Sequence, residues 1–314
     1  MSAVEPPEWD EAVEASVDLG RSPIGALLTR CRFPPLDGVD RHVSCAVSAG
    51  ADSTALAALA VAAGFDVTVI HVDHGLRTGS AGEADLVAKL ARRLGCRFRP
   101  ERVTVEPGPN LEARARQARY AALPYGVLTG HTLDDQAETV LLNLMRGAAL
   151  DGLAGMNPAA PHPRRPLLLL RRSETVALCQ ALELGFLTDP SNVDPTHRRN
   201  RVRHELLPLL DDIAGRDVAA VIARQAGLLR DDAAMIDAVA ADVDPTDARA
   251  LATAPLPVAR RALRRWLTSA SPSGHPPDAA TVERCLRTAR GEVTACEIGE
   301  GLTLRRSHQR LSIV

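Results

Sequence analysis

From Val43 onward, short apolar runs alternate with longer amphipathic stretches. Val43–Val47 is an apolar, β-branched run that meets a turn of small residues, and an alanine-rich helical segment, Ser53–Ala63, follows and stops at Gly64. Val67–Val72 and Arg97–Val105 repeat the strand pattern, and Ala81–Leu94 and Leu111–Leu123 the helical one. Val127–Thr129 reads as a buried strand, and Leu133–Arg146 as a helix closed by Gly147. Short strands alternating with helices over brief connections imply an α/β fold: a Rossmann-like parallel sheet covered on both faces.

After Gly147 the alternation breaks. Residues 148–166 are rich in Gly and Pro, and Leu167–Leu170 is an apolar run followed by a helical pattern from Ser173 to Leu184. Arg199–Leu210, Ile213–Ala241, Pro257–Thr268 and Ala279–Ala289 read as helices, and the last 22 residues as short strands. A short helix is expected from Ser22 to about Arg30. This divides the chain into a flexible acidic leader (1–21), a catalytic sheet domain (22–212) and a smaller, largely helical C-terminal domain with short strands (213–314).

Composition changes this picture in two places. The net charge of −2 is a sum of opposing blocks: residues 1–18 carry six acids and no base, and 231–247 six aspartates and no base. Residues 89–119 carry nine bases against three acids, and 164–203 eight arginines against four acids. Basic blocks are where a polyanion binds, although a solvated helix face gives the same pattern. Lys89 is the single lysine among 37 basic residues, a bias that coding accounts for. The six cysteines form no C-x-x-C pair, which argues against a zinc, iron–sulfur or dithiol site. The N-terminus lacks a signal-peptide pattern, and the longest apolar stretch, Ala55–Gly64, falls short of the roughly 20 residues a bilayer requires. A cytoplasmic protein with no membrane partner is expected.

The first strand ends in Ser48-Ala49-Gly50-Ala51-Asp52-Ser53 and feeds straight into a helix. Small residues let backbone N–H groups approach an anion, and the helix start adds donors and a favourable dipole. Ser48 and Ser53 can donate to phosphate oxygens, and Asp52 can reach Mg²⁺. A plain turn capped by Asp52 or Ser53 fits the hexapeptide as well. Ser-x-Gly-x-Asp-Ser after an opening strand resembles the loop of the N-type ATP pyrophosphatases, which cleave ATP to AMP and pyrophosphate. Their usual S-G-G-x-D-S has glycine where this chain has Ala49. An alanine suits the loop if that position is extended and weakens ATP binding if it needs positive φ.

Four more constellations follow. His71-Val72-Asp73-His74-Gly75-Leu76-Arg77 ends the second strand; His71 and His74 line a nucleotide pocket more readily than they bind a metal, because no further ligand cluster lies near. In Glu112–Tyr120, Arg116, Arg119 and Tyr120 share one helical face that can clamp a polyphosphate or simply face solvent. In Gly130-His131-Thr132-Leu133-Asp134-Asp135-Gln136-Ala137-Glu138-Thr139, Asp135 and Glu138 at a helix start can point at one cation; a Thr132–Asp135 capping box explains Asp135 but not the remainder. Asp189-Pro190-Ser191-Asn192 precedes Arg199, Arg201 and Arg203, alternate arginines that cannot share one helical face.

In this order, across about residues 43–210, these motifs resemble the tRNA(Ile)-lysidine synthetases, with Ala49 the clear departure. The resemblance implies a ligase that uses ATP to adenylate the C2 oxygen of the wobble cytidine in isoleucine tRNA with a CAU anticodon. L-lysine then attacks C2, giving lysidine, AMP and pyrophosphate, and reading changes from AUG to AUA. It implies ATP contacts from Ser48, Ala49, Gly50, Ala51, Asp52, Ser53, His71, His74 and Arg119. Mg²⁺ falls to Asp52 and Asp135, and catalytic roles to Asp52, Arg116, His131, Asp135, Glu138 and Arg201. Arg199 and Arg203 are expected to contact tRNA, as is the C-terminal domain. Which acid handles lysine, and the oligomeric state, a homodimer included, stay open. Alternatives are another tRNA-modifying enzyme on the same scaffold or an inactive tRNA-binding protein. A sulfur-transfer enzyme would need paired cysteines, and a glutamine-dependent synthetase a second α/β unit.

Overall fold

The structure, a computed structural model, describes residues 23–36, 41–73, 80–104, 111–188 and 194–314. The acidic segment 1–21, His74 and the Asp189–Asn192 motif lie outside the described residues. The chain divides into two compact units, one ending at Ala226 and one spanning Gly227–Val314.

In the first unit, helix α1 (Pro23–Leu28) precedes β1 (His42–Ala46), α2 (Ala51–Ala62), β2 (Asp66–Asp73), α3 (Ser80–Arg93) and β3 (Arg97–Arg102). Helix α4 (Leu111–Ala122), β4 (Leu128–Thr129) and α5 (Leu133–Met145) complete the alternation. The strands are parallel and ordered β3-β2-β1-β4, with Cys45 opposite both Val69 and Leu128. The chain thus builds outward from β1 through β2 to β3, then returns to place β4 on the other side of β1. That reversal creates a crevice at the carboxyl ends of β1 and β4, the position where open α/β sheets bind ligands. The α/β fold read from the alternation is the observed one.

Helix α2 is buried from Ser53 to Ala60. Its alanines are what such a position requires, since small side chains let it lie close to both the sheet and α7 (Arg172–Ala181). The core there comprises Leu56, Leu59, Val69, Leu128, Leu167 and Leu170 among others. A short helix, α6 (Leu150–Leu153), follows α5, and its surroundings are tied back to α5. Gln136 Nε2 donates to Met156 O at 3.0 Å and its Oε1 accepts from Met156 N at 2.7 Å. Asn143 Nδ2 donates to Gly152 O at 2.9 Å.

The helical stretch read as 199–210 runs from α8 (Arg198–Arg201) through a π-helical turn, Val202–Leu206, into α9 (Leu207–Ala214). The long helix expected from Ile213 starts later, as α10 (Val218–Ala241). Gly215 interrupts it in a left-handed conformation, φ 62°, and Asp211 Oδ1 accepts from Val218 N at 2.7 Å. Val202, Leu207 and Ala219 pack on Ala137 and Leu141, so this stretch is held against α5.

The second unit holds α11 (Ala248–Thr253), α12 (Leu256–Ala270), α13 (Ala279–Arg290) and an antiparallel sheet of β5 (Ala295–Gly299), β6 (Leu302–Ser307) and β7 (Arg310–Ile313). Leu251, Leu263, Leu286 and Leu304 are at the centre of its core. Asp247 and Asp278 cap α11 and α13. Among the described residues, no helix is long and apolar enough to cross a membrane.

Candidate active site

β1 leaves the sheet at Ala46, and after four intervening residues α2 begins at Ala51. The first backbone bond inside α2 is Thr54 N to Gly50 O, 3.0 Å, so the N–H groups of Ala51, Asp52 and Ser53 have no acceptor within the helix. The turn is held from within: Ser48 N donates to Ser53 Oγ (3.1 Å), and Ser53 Oγ donates to Gly50 O (2.9 Å). It is also held from outside, since Leu187 N donates to Ala49 O (2.8 Å) and His71 Nδ1 meets Val47 O (2.9 Å). Ala49 is buried with φ 61°, so the first-glycine position does take the left-handed conformation. An alanine there costs about 1–2 kcal/mol. The condition under which the sequence anticipated weakened ATP binding is therefore met. Gly130, at the exit of β4, packs backbone to backbone on this turn: a Cβ there would lie 2.7 Å from Asp52 O, so a side chain would push the two loops apart.

Helix α5 starts with Thr132 and Asp135 in a capping box, Thr132 N donating to Asp135 Oδ2 at 2.8 Å. The capping and charge roles of Asp135 coexist, because its other oxygen, Oδ1, accepts from Arg172 Nη2 and Arg199 Nη2, both at 2.9 Å. Glu138, one turn on, has 0% side-chain exposure. Its Oε1 accepts from Arg203 Nε (2.7 Å) and Arg172 Nη1 (3.3 Å), and its Oε2 from Arg199 Nε (2.6 Å) and Arg203 Nη2 (3.2 Å). Asp52 joins them from the phosphate turn, accepting from Arg172 Nε at 3.1 Å and from Thr175 Oγ1. Three carboxylates and three guanidiniums thus interlock at the crevice, and their formal charges cancel.

The pairing sets the titration of the acids. Burial raises the Asp135 carboxyl, but Arg172, Arg199, His131 and the Thr132 N–H together bring it down to about 2. Asp52 ends above its ordinary value: burial raises it, Asp135 adds to that, and Arg172 and Thr175 offset only part. Burial alone would lower the Arg172 pKa, yet Asp135, Asp52 and Glu138 raise it above its ordinary value, so the guanidinium stays charged.

The structure brings together Asp52, Asp135 and Glu138, with Ser48, Gly50, Ala51 and Ser53 in the adjoining turn. His131 Nδ1 lies 2.9 Å from Thr129 Oγ1 at the end of β4. His71 is buried against the loop. The arginines arrange themselves differently from the expectation. Arg199 and Arg203, expected on tRNA, face into the acid cluster, whereas Arg201, expected in catalysis, is exposed and pairs with Glu205 at 2.8 Å. A helix turning four residues from Arg199 to Arg203 puts both on one side and Arg201 on the other. Arg119 is exposed on α4, and the side chain of Arg116 lies outside the described residues.

Arg172 was not among the residues expected at the site, nor were Arg171 and Thr175, and Asp134 stood in its motif without an assigned role. Asp134 accepts from Arg171 Nη2 (2.8 Å) and from the Arg172 backbone N–H (2.7 Å), and Arg171 also pairs with Asp217. The available signal was Arg171-Arg172 behind the apolar Leu167–Leu170 run and ahead of Glu174, whose Oε2 accepts from Arg171 N at 2.7 Å to start α7.

Such a parallel sheet, with a phosphate-binding turn after β1 and an acidic helix start after β4, defines an ATP-using PP-loop protein; residues 32–210 match the PP-loop domain family. Residues 247–312 match the TilS substrate binding domain. The tRNA(Ile)-lysidine synthase of Nocardia farcinica is 45% identical over 273 residues, covering 83% of this chain and 84% of that protein. That of Rhodococcus opacus is 46% identical over 250 residues, covering 75% and 76%. The chain belongs to the tRNA(Ile)-lysidine synthase family. Among solved structures, the U34-tRNA thiolase NcsA of Methanococcus maripaludis aligns with a TM-score of 0.52 at 19% identity, covering 68% of this chain and 80% of that one, a likeness of fold.

Proposed function

We propose that this chain forms lysidine on the CAU-anticodon isoleucine tRNA, consuming ATP and L-lysine and releasing AMP and pyrophosphate. The observation that carries the reading is the meeting of Asp52, Asp135 and Glu138 beside the open N-terminus of α2, within a chain of this family. The ATP phosphates lie along the Ser48–Ser53 turn, where backbone N–H groups and the Ser48 hydroxyl donate to them, while the Ser53 hydroxyl holds the turn through Gly50 O. The C2 oxygen of the cytidine attacks the α-phosphorus, and the bond to the departing pyrophosphate breaks. Donors fixed in advance at the turn stabilise the charge that collects on the leaving group. The lysine ε-amine then bonds to C2, and the oxygen leaves as part of AMP. An acid of the cluster beside His131 orients the lysine ammonium and takes the proton that the amine loses.

The donor set fits a divalent cation. Asp52 and Asp135 both bond to one guanidinium, so their oxygens lie within reach of a single cation. Among the described residues, no group of three or more His, Cys, Asp or Glu side chains forms a complete cage. One or two carboxylates completed by phosphate oxygens is the usual manner of Mg²⁺ in nucleotide sites. Mg²⁺ held by Asp52 and Asp135 would offset the charge of the phosphates.

Residues 22–212 carry this chemistry and 213–314 contact the tRNA, with Arg116, Arg119 and Arg201 the arginines assigned to phosphate or base. The wobble base is read from a single-stranded loop, since an atom on a base edge is reached only when the base is out of the stack. The cytoplasm, which holds ATP and tRNA, is the compartment of action. With ATP, Mg²⁺ and radiolabelled lysine, label is expected in the CAU isoleucine tRNA and not in the methionine tRNA that shares its anticodon. No incorporation by purified protein overturns the reading.

A further inference from the structure

Among the described residues, Arg172 alone reaches all three acids of the site: Nε to Asp52 at 3.1 Å, Nη2 to Asp135 at 2.9 Å and Nη1 to Glu138 at 3.3 Å. Its backbone is fixed, since Arg172 N donates to Asp134 Oδ2 (2.7 Å) and its carbonyl accepts from Thr175 Oγ1 (2.8 Å). All three contacts to the acids are made by its side chain. The carboxylate oxygens it bridges belong to Asp52 and Asp135, the pair that the proposed function assigns to Mg²⁺, and this inference rests on that assignment.

We propose that Arg172 competes with the divalent cation for Asp52 and Asp135, and so makes metal binding depend on nucleotide. The charge arithmetic favours this. The three acids are already balanced by Arg172, Arg199 and Arg203. A metal ion arriving alone adds uncompensated positive charge to a largely buried place, which is strongly unfavourable. A metal ion arriving on a polyphosphate carries its own compensation, and the displaced guanidinium finds phosphate oxygens beside the turn that holds Asp52. Arg172 is thus a positioning residue for the metal, acting through the two carboxylates.

Mn²⁺ binding to the full chain, followed by the electron paramagnetic resonance signal of the free ion, tests this without turnover. Without nucleotide, Arg172→Gln is expected to bind Mn²⁺ about tenfold more tightly than the wild type, within the usual range of site-to-site coupling. Asp52→Asn in the Arg172→Gln background should cancel the gain. A merely structural Arg172 lowers the melting temperature of Arg172→Gln and leaves its Mn²⁺ affinity unchanged, and that result overturns the proposal. Should Arg172→Gln fail to fold, Arg172→Lys retains the charge without the fork that spans both acids. It should gain Mn²⁺ affinity in the same direction, and an unchanged affinity there is equally fatal. A parallel arm with a non-hydrolysable ATP analogue compares wild type and Asp52→Asn. Loss of Mn²⁺ in Asp52→Asn keeps the metal assignment standing even if Arg172 proves inert, whereas full retention removes the assignment and this proposal with it.

Discussion

Ion pairs appear in both units of this protein, and they are not the same kind of object. In the second unit, Arg260–Glu283, Arg287–Glu292 and Arg310–Asp244 join side chains that are exposed at both ends. In the first unit, Glu138 has no exposed surface and is met by three guanidiniums, two of which it shares with Asp135 at hydrogen-bonding distance. Exposed pairs exchange one aqueous environment for another and are worth about 0–1 kcal/mol. A buried set has given up its hydration, so each member depends on the others, and removing one strands its partners. The same chemistry decorates one unit and organises the reactive crevice of the other.

The sharpest way to break this comparison is Glu138→Ala, which leaves Arg172, Arg199 and Arg203 short of a buried partner. A loss of about 3–5 kcal/mol in denaturant unfolding is expected, and a loss below about 1 kcal/mol would put the cluster on a par with the exposed pairs. Asp135→Asn is expected to lower lysidine formation by about 10²–10³-fold or more while leaving the tRNA Kd within about twofold, because the removed charge serves the chemistry. The same variant probes acid stability. The native Asp135 carboxyl titrates at about 2 against an ordinary 3.8, so its contribution is present in full above about pH 4 and fades as pH falls toward 2. Melting curves of wild type and Asp135→Asn should therefore converge over that interval, and a constant gap down to pH 2 would contradict the pairing.

Smaller effects sharpen the contrast. The left-handed helix ends at Gly215 and Gly291 are glycines, yet the phosphate turn has Ala49 at φ 61°. Ala49→Gly should raise stability by about 1 kcal/mol at most, net of the added chain entropy, and change the KM for ATP by less than about tenfold. A much larger fall in KM would show the turn to be impaired by its alanine. At the bottom of the scale, Arg287→Ala should shift unfolding by about 0.5 kcal/mol or less, checked by the same denaturant measurement.

Much of this molecule was legible in its sequence. Periodicity located every strand of the parallel sheet to within a few residues: the inner strands because strands buried on both faces must be apolar, and the exposed edge strand β3 by its place between two amphipathic helices. The Ser48–Ser53 turn and the Thr132–Glu138 helix start were legible because both roles depend on residues close together in the chain. Chain order also implied that they meet, since each follows a strand and ligands gather at the strands' carboxyl ends. What tertiary structure decided was where the long charged side chains point. Arg172 enters the cluster because α7 packs against α2, with Thr175 bonded to Asp52, a contact 123 residues apart in sequence. Arg199 and Arg203 turn inward and Arg201 outward because the stretch carrying them lies against α5 through Val202 and Leu207. The conformation of Ala49 was set by its neighbours, with Leu187 bonded to its carbonyl. A guanidinium ends several bonds from its backbone and can satisfy itself in water or on any nearby acid. Its partner is therefore chosen by which surfaces pack, and that information is not local in the sequence.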